Sequence, residues 1–387
     1  MNNNNKLFVR KIQLADFKAS AFLFGPRWVG KTTLLRSLTV DVYFDLLDPQ
    51  LELEYKTNPN IFWQQLSALK PGSRIIVDEV QKVPALLNYV QMGIDKLNHK
   101  FLLSGSSARK LKRGHANLLG GRAISLKLHP LSCEEIGKGF SLPIALEYGT
   151  LPKIYLLSQA KQIPLVREHL KSYVSAYLKE EIQMEAVTRN LGAFNRFLNV
   201  AAQSNGQIIE FANISRECAV PASTVKEYFQ ILEDTLIGFF LWPFAYSERK
   251  KTRPKFYFFD CGVVRAIQGR VNDSPSSVEK GYLFETWFIN ELMRMRDCLD
   301  KPHEFSFWRN REQEVDIIVS RSGKPVLGIE CKSGKSDIRG FVVNSFRDSF
   351  GKIPLIVASL SDIRAKKVGE VEILPWQDAL SRYQQLA

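Results

Sequence analysis

A glycine-bounded run of residues, Gly25 to Thr32, has the spacing of a phosphate-binding loop. It matches the pattern G-x-x-x-x-G-K-[ST] and directly follows the apolar residues Ala21–Phe24. Glycines at this spacing let backbone N–H groups surround phosphate oxygens, and the helix expected after Gly30 adds its partial positive charge. Lys31 would reach the β- and γ-phosphates, and the hydroxyl of Thr32 would help to hold Mg²⁺. The residues predicted to bind nucleotide here are Gly25, Pro26, Arg27, Trp28, Val29, Gly30, Lys31, Thr32 and Thr33.

Two carboxylates, Asp78 and Glu79, follow a second predicted strand, Arg74–Val77, in which three residues are apolar. Ligands of open α/β sheets bind at the carboxyl ends of the strands, so we expect this pair to lie beside the loop. Asp78 would hold Mg²⁺ through water, and Glu79 would orient and deprotonate the attacking water. Because the pair suits the activation of water, it favours ATP hydrolysis over phosphoryl transfer to a small molecule.

Polar residues at the end of the next apolar stretch, Phe101–Leu103, are candidates for sensing the γ-phosphate. Ser104 is the preferred candidate and Ser106 the alternative, although either serine fits an ordinary exit from a strand. Arg122, in the run Leu119-Gly-Gly-Arg, could stabilise transition-state charge in a neighbouring subunit. The alternative for Arg122 is a solvated or structural side chain. Its proposed role makes a homo-oligomer possible.

These motifs together resemble a prokaryotic AAA-type ATPase group whose members carry a C-terminal region of unknown function. Within the first part of the chain, the similar runs are Val77-Asp-Glu79, Leu102-Leu-Ser-Gly-Ser106, Gly120-Gly-Arg122 and His129-Pro-Leu-Ser-Cys-Glu-Glu135. Further along, they are Leu151–Tyr155, Tyr177–Glu181, Ile231–Asp234 and Lys255–Asp260. The resemblance covers nearly the whole chain and implies ATP hydrolysis, with the biological task left open.

The middle of the chain has the pattern of a winged helix-turn-helix. Three short helical stretches precede a hydrophobic segment, Leu236–Trp242, that would begin the wing, and Pro221 marks the turn between two of the helices. In a DNA-binding version, Ser223, Thr224 and Lys226 would face the groove.

The predicted helix that would face the groove also contains two acidic residues, Glu227 and Glu233. Because their negative charges oppose contact with phosphates, the alternative interpretation is a module that packs within the protein. The basic residues that follow are better candidates for phosphate contacts. They are Arg249, Lys250, Lys251, Arg253 and Lys255.

Carboxylates and a lysine near the C-terminus fall on a predicted β-hairpin. Side chains alternate between the two faces of a strand, so Glu330 and Lys332 share one face of the second strand. Asp316 lies in the opposite strand, beside them. Two carboxylates suit Mg²⁺, and a neighbouring lysine can position water or offset charge at a phosphodiester. The pattern resembles the PD-(D/E)XK nuclease core, in which Glu285, on the predicted helix Leu283–Met295, matches the acidic residue of the first helix. The alternative is a nuclease fold that serves only as a scaffold.

The order of elements predicts an α/β protein with four parts. Residues 1–140 alternate strands and helices as in an AAA-type P-loop ATPase domain, and residues 141–190 form a helical connector. Residues 191–260 are the winged-helix domain, and residues 261–387 return to α/β as a restriction-endonuclease-like domain. The predicted strands are Ala21–Phe24, Val42–Leu46, Arg74–Val77, Phe101–Leu103, Val315–Val319, Pro325–Cys331 and Ile353–Ala358.

The composition bounds the class of protein. A hydrophobic content of 45% and a charged content of 24% over 387 residues are typical of globular proteins. The formal charge of +13 favours an anionic partner, with nucleic acid the first choice. The five cysteines are scattered without metal-site spacing, which favours reduced thiols, and no apolar run is long enough for a membrane span. We therefore expect a cytoplasmic protein without a membrane partner.

The sequence as a whole predicts an ATP-binding and ATP-hydrolysing protein that acts on DNA. ATP and Mg²⁺ are the expected cofactors, with Mg²⁺ held by Thr32 and Asp78 in the first domain. A second metal would be held by Glu285, Asp316 and Glu330, and Lys332 would assist cleavage of DNA. The alternative function is a nucleotide-gated switch or assembly protein whose winged-helix and nuclease-like domains bind partners without catalysis.

Overall fold

The computed structural model describes residues 8–12, 14, 17–106, 119–178, 191–244, 253–311, 313–334 and 338–386. The predicted phosphate contacts Arg249, Lys250 and Lys251, and most of the Tyr177–Glu181 motif, lie outside these ranges. Among the described helices, none combines the length and the apolar character that a membrane crossing requires.

The first sheet consists of five parallel strands. They are β1 (Ser20–Phe24), β2 (Val42–Asp45), β3 (Arg74–Asp78), β4 (Lys100–Gly105) and β5 (Ala123–Lys127). Their order in the sheet is β2-β3-β4-β1-β5, and every pairing is parallel. All four strands predicted for this region are confirmed. Because the strands are parallel, the carboxyl ends of β1, β3 and β4 lie at the same edge of the sheet.

Helices cover the sheet on both faces, which explains why its central strands are continuous apolar runs. The helices of this part are α1 (Lys31–Arg36), α2 (Pro49–Thr57), α3 (Asn60–Ser67) and α4 (Leu86–Leu97). On one face, Phe22, Phe101 and Leu103 pack with aromatic residues of α2 and α3, such as Tyr55 and Phe62. The opposite face of the sheet packs against the helical region that follows.

The helical region continues the core of the first sheet without a break. Its elements are α5 (Cys133–Ile136), α6 (Leu142–Tyr148), α7 (Pro152–Gln159), α8 (Ile163–Ser172), a π-helical segment (Tyr173–Leu178), α9 (Leu191–Gln203), α10 (Phe211–Cys218), α11 (Ala222–Asp234) and α12 (Cys261–Ile267). Ala21 and Leu102 of the sheet belong to the same buried cluster as Phe197, Phe229 and Val263. The domain boundary predicted at residue 140 therefore does not separate two hydrophobic cores.

Two short strands, β6 (Gly238–Leu241) and β7 (Lys255–Phe258), pair antiparallel after α11. The segment before α10 contributes a single bridge, between Ile208 and Lys255. All four residues of β7 are buried. Phe256 and Phe258 pack into the core of the helical region, whereas Tyr257 packs into the core of the C-terminal part, as expected from the alternation of a strand.

The C-terminal part is a six-stranded mixed sheet with three helices. Its strands are β8 (His303–Asn310), β9 (Gln313–Arg321), β10 (Lys324–Lys332), β11 (Leu355–Ser359), β12 (Lys366–Val368) and β13 (Val371–Pro375), in the order β12-β13-β11-β10-β9-β8. Its helices are α13 (Ser277–Cys298), α14 (Gly340–Phe350) and α15 (Trp376–Gln384). The predicted hairpin is confirmed as the antiparallel pair β9 and β10, and β11 runs parallel to β10.

A buried polar network joins the segment after β5 to α13. Glu291 accepts a hydrogen bond from the backbone N–H of Cys133 at 2.7 Å, and Arg294 donates to the carbonyl of Leu131 at 3.1 Å. Arg294 also forms an ion pair with Glu291 at 2.8 Å. At the end of α13, His129 Nε2 lies 2.7 Å from a carboxylate oxygen of Asp297. Because Glu291 and Arg294 are buried, each depends on its partners across the two parts of the chain.

Candidate functional site

The predicted phosphate-binding loop connects β1 to α1 with a tightly curled backbone. Trp28 and Gly30 both have left-handed backbone conformations, with φ angles of 68° and 94°. A side chain on Gly25 would place its Cβ only 2.4 Å from the carbonyl oxygen of Leu128. The close approach of the chain at Gly25 and the positive φ at Gly30 explain why glycine bounds the loop on both sides.

Lys31 folds back over the loop. Its ammonium group donates hydrogen bonds to the carbonyl oxygens of Gly25 at 2.8 Å and Pro26 at 3.1 Å, and the residue is buried. The ammonium therefore lies beside the concave backbone where a phosphate group would bind. Thr32 and Thr33 follow in the first turn of α1.

Asp78 lies at the carboxyl end of β3, fully buried and held through both carboxylate oxygens. Tyr43 donates to one oxygen at 2.7 Å, and the hydroxyl of Ser104 donates to the other. Ser104 in turn accepts a hydrogen bond from the backbone N–H of Glu79 at 3.0 Å. Burial, together with the neighbouring Asp78, raises the pKa of Tyr43 well above its usual range, so Tyr43 remains a donor. The predicted residues Asp78, Glu79 and Ser104 are thus brought together.

Glu79 has a left-handed backbone, with a φ angle of 58°. Such a conformation is uncommon outside glycine and is enriched at functional sites. The side chain of Glu79 accepts a hydrogen bond from the amide of Gln81, which also lies 3.2 Å from the hydroxyl of Ser106. Ser104 therefore holds the two acidic residues directly, whereas Ser106 contacts only the amide that orients Glu79. Tyr43 and Gln81 are members of this group that the sequence motifs did not reveal.

Arg122 lies at the edge of the sheet opposite the loop. It precedes β5, whose first residue pairs with Ser20 at the start of β1, whereas the loop follows the end of β1. Its guanidinium forms an ion pair with Asp95 of α4 at 2.7 Å and lowers the pKa of that carboxyl group. Both side chains are exposed to solvent. Arg122 is therefore too distant to act on its own loop, and any role in hydrolysis would be toward another molecule.

Arg10 holds the loop from the N-terminal side and was not found from the sequence, because it belongs to no motif. Its guanidinium donates to the carbonyl of Val29 at 2.7 Å and to the carbonyl of His129 at 2.6 Å. It also forms an ion pair with Glu135 at 2.9 Å, and its side chain is nearly buried. One guanidinium therefore fixes the loop to the segment that follows β5.

The helical region contacts the loop through Trp28. The ring of Trp28 meets the rings of Tyr173 and His169 edge to face, with centroid separations of 5.3 and 5.9 Å. The hydroxyl of Tyr173 lies 3.5 Å from the carbonyl oxygen of Arg27. Tyr173 opens the π-helical segment, a geometry that often occurs at functional sites.

The four residues predicted to form the second site lie together in the C-terminal part. Glu285 is on α13, Asp316 is on β9, and Glu330 and Lys332 are on β10. Asp316 accepts a hydrogen bond from the backbone N–H of Cys331 at 2.8 Å, and Lys332 forms an ion pair with Glu330 at 2.6 Å. Burial, followed by repulsion from Asp316, raises the pKa of Glu285 and the pKa of Glu330.

Lys255 corrects one prediction from the sequence. It was expected to contact phosphates from the surface, but its side chain is only 4% exposed and enters this acidic cluster. Its Nζ lies 2.5 Å from Glu314, 2.9 Å from Glu285 and 3.5 Å from Asp316. Although burial opposes the charge, the surrounding acidic groups outweigh it and raise the pKa of Lys255.

The arrangement does not fit the predicted metal site of Glu285, Asp316 and Glu330. Two of the three carboxylates that would hold a divalent cation, those of Glu285 and Asp316, are in contact with the ammonium of Lys255. Within the described ranges, no group of three His, Cys, Asp or Glu side chains could hold a metal ion. The prediction overlooked Lys255 because that residue belongs to a different part of the sequence.

Comparisons with protein families divide the chain into three. Residues 18–137 match the family described as an AAA domain, which supports the predicted AAA-type P-loop ATPase domain. Residues 141–274 and 280–377 match two families described as domains of unknown function. The matches carry no information on a winged helix or a nuclease.

Three relatives that match along most of this chain carry the name uncharacterized protein. Proteins of Mycobacterium bovis and Mycobacterium tuberculosis are each 26% identical over 320 residues, which cover 80% of this chain and 69% of theirs. A protein of Methanocaldococcus jannaschii is 22% identical over 335 residues, or 79% of this chain and 73% of its own.

Among solved structures, the likeness of the whole fold is low. Aeropyrum pernix ORC1 in complex with DNA is 14% identical, with a TM-score of 0.29 over 66% of this chain and 87% of that chain. DnaA bound to AMPPCP and single-stranded DNA is 13% identical, with a TM-score of 0.30 over 56% of this chain and 82% of that chain.

Replacing Arg10 tests whether the geometry of the loop depends on that side chain. We expect Arg10→Ala to weaken nucleotide binding by about tenfold, because a hydrogen bond from a charged group contributes roughly 1.5–3 kcal/mol. Titration with a fluorescent ATP analogue measures the effect. The control is Lys11→Ala, which removes an adjacent, exposed partner of Glu134 and should leave the affinity unchanged. Equal affinities for the Arg10→Ala variant and the unmodified chain would contradict the role of Arg10.

Proposed function

We propose that this chain binds and hydrolyses ATP and acts on DNA. The observation that carries ATP hydrolysis is that the curled loop and the group of Asp78, Glu79 and Ser104 lie at the same edge of a parallel sheet. Lys31 is positioned over the loop, and Ser104 connects the two acidic residues. The match of residues 18–137 to the AAA domain family supports a nucleotide-binding role for the same region.

In the proposed reaction, backbone N–H groups of the loop and the ammonium of Lys31 bind the phosphates. Thr32 and Asp78 would hold Mg²⁺, which would neutralise the charge that develops on the phosphoryl oxygens. The donor set fits that ion, because Asp78 is a buried carboxylate oriented by two hydroxyl groups. Glu79 would accept a proton from the attacking water, and Gln81 would orient its carboxylate.

Arg122 is proposed to complete the site of a neighbouring subunit. Its position supports this role because it is exposed and lies away from its own loop. In the structure, Asp95 of α4 holds the guanidinium, so Arg122 would exchange this partner for the phosphoryl oxygens of the neighbour's nucleotide.

Two observations support action on DNA: the order of helices and strands in the middle of the chain, and the positive net charge of the protein. The helices α9, α10 and α11, followed by the β6–β7 pair, follow the order of a winged helix. The formal charge of +13 favours an anionic partner. Two side chains of α11 make contacts within the protein, which favours packing over a role in a DNA groove. Lys226 lies over the ring of Phe211, with its Nζ 5.5 Å from the ring centroid, and Glu233 accepts a hydrogen bond from the backbone N–H of Phe240.

A second candidate is a nucleotide-gated switch in which the winged-helix and nuclease-like parts bind partners without catalysis. The position of Lys255 favours this function over DNA cleavage, because the ammonium contacts the carboxylates that cleavage would need. The two candidates share the ATP site and differ in what the C-terminal part does.

Separate substitutions of Lys31 and Glu79 test ATP hydrolysis. Lys31→Ala should weaken nucleotide binding, because it removes the charge over the loop. Glu79→Gln should keep nucleotide binding but lower turnover by roughly 10²–10⁴-fold, the usual contribution of a general base. Phosphate release and nucleotide titration measure the two effects. Turnover unchanged in Glu79→Gln would remove that residue from the mechanism.

Mixing inactive variants tests the role of Arg122 between subunits. Arg122→Ala and Glu79→Gln should each be inactive alone and should recover part of the activity when mixed, because some sites then combine an intact glutamate with an intact arginine. Asp95→Ala is the control, since it breaks the same ion pair but keeps the arginine and should remain active. Full ATPase activity in a strictly monomeric protein would overturn this role.

DNA binding is tested by its dependence on salt. We expect the affinity for a labelled duplex to fall steeply between about 50 and 200 mM salt, with a logarithmic slope of about −0.9 for each neutralised phosphate. Lys250→Ala with Lys251→Ala should reduce the slope by about 2, whereas Lys366→Ala, at an exposed pair with Asp362, should not. ATPase rates measured with and without the duplex complete the test. If the protein fails to bind DNA and DNA leaves the rate unchanged, the switch function is favoured.

A further inference from the structure

The acidic cluster of the C-terminal part contains its own cation. Glu285, Glu314 and Asp316 each place a carboxylate oxygen within 3.5 Å of the ammonium of Lys255. The ammonium also lies 5.5 Å from the ring centroid of Phe307, so the apolar side of the cluster is closed by an aromatic face. Tyr257 donates a further hydrogen bond to Glu285. The side chains of this cluster therefore surround and stabilise one buried positive charge.

Lys255 reaches this cluster from outside the C-terminal sheet. It is the first residue of β7, which pairs with β6 on one side. On the other side, the chain at 206–209 donates to the carbonyls of Phe256 and Pro254 at 2.8 and 2.7 Å. Since the strand is hydrogen-bonded on both sides and buried, the fold fixes the backbone position from which Lys255 enters the cluster, and the three ion pairs hold its ammonium there.

We propose that the ammonium of Lys255 replaces a divalent cation in this cluster, so that the full chain has no metal-dependent centre for phosphodiester cleavage there. A divalent cation bound to the carboxylates of Glu285 and Asp316 at about 2.0–2.6 Å would lie within roughly 3–4 Å of the ammonium and would be repelled by it. The lysine satisfies the same carboxylates through hydrogen bonds and ion pairs. The C-terminal part is then a scaffold for binding, and the proposal is independent of ATP hydrolysis at the loop.

The test uses the full chain without nucleotide and Mn²⁺ as the probe. The unmodified chain should show no Mn²⁺ binding that depends on Asp316, whereas Lys255→Met should gain a site and bind Mn²⁺ at least about tenfold more tightly, because a like charge is removed. Electron paramagnetic resonance titration measures free Mn²⁺, and thermal unfolding measures its stabilising effect on each variant. The control Lys366→Met removes a lysine from an exposed pair of the same sheet and should gain no site.

A second substitution identifies where the new site lies. Adding Asp316→Asn to Lys255→Met should abolish the gained Mn²⁺ binding. If Lys255→Met does not fold, Lys255→Met with Glu314→Gln removes the ammonium and one of its carboxylates together, leaving Glu285 and Asp316 for the metal. Binding of Mn²⁺ by the unmodified chain that is lost in Asp316→Asn would overturn the proposal. A folded Lys255→Met variant that gains no Mn²⁺ binding would overturn it as well.

Discussion

The burial of β7 between two cores is the constraint on which the arrangement of the chain depends. Its aromatic residues alternate, so that Phe256 and Phe258 complete the core shared with the first sheet and Tyr257 completes the C-terminal core. Lys255, at the start of the same strand, must therefore lie within the C-terminal acidic cluster, where three carboxylates compensate for its buried charge. One strand of four residues thus fixes both the packing and the charge balance of the boundary.

A second set of contacts connects the loop to the C-terminal part. Arg10 holds the carbonyl of Val29 in the loop and the carbonyl of His129, and the ring of His129 contacts Asp297 at the end of α13. The same helix carries Glu285. The path consists of hydrogen-bonded groups that are nearly buried, as Arg10 is, or half-buried, as His129 and Asp297 are, and it connects the elements that carry the two candidate sites.

Much of this architecture could be predicted from the sequence because its signals are local. The glycine spacing of the loop, the strand followed by Asp78 and Glu79, and the hairpin with Asp316 and Glu330 all depend on residues close together in the chain. Contacts between distant segments carried no such signal. Tyr43 and Arg10 are the clearest cases, since neither lies in a motif and each meets its partner only through tertiary packing. Lys255 was interpreted as part of a basic surface, although the run of aromatic residues after it is typical of a buried strand.

The ion pairs of Lys255 also bear on how such a chain can be divided or recombined. A cut at residue 260 would leave the C-terminal sheet with its carboxylates but without their ammonium, and it would also separate α12 from the helical core that buries Val263 and Ile267. The same loss would follow if the C-terminal part were joined to a different protein that supplied no equivalent lysine. The two parts are therefore not interchangeable modules. A protein that acquired the C-terminal part would also need β7, because Lys255 on that strand balances the charge of the buried carboxylates.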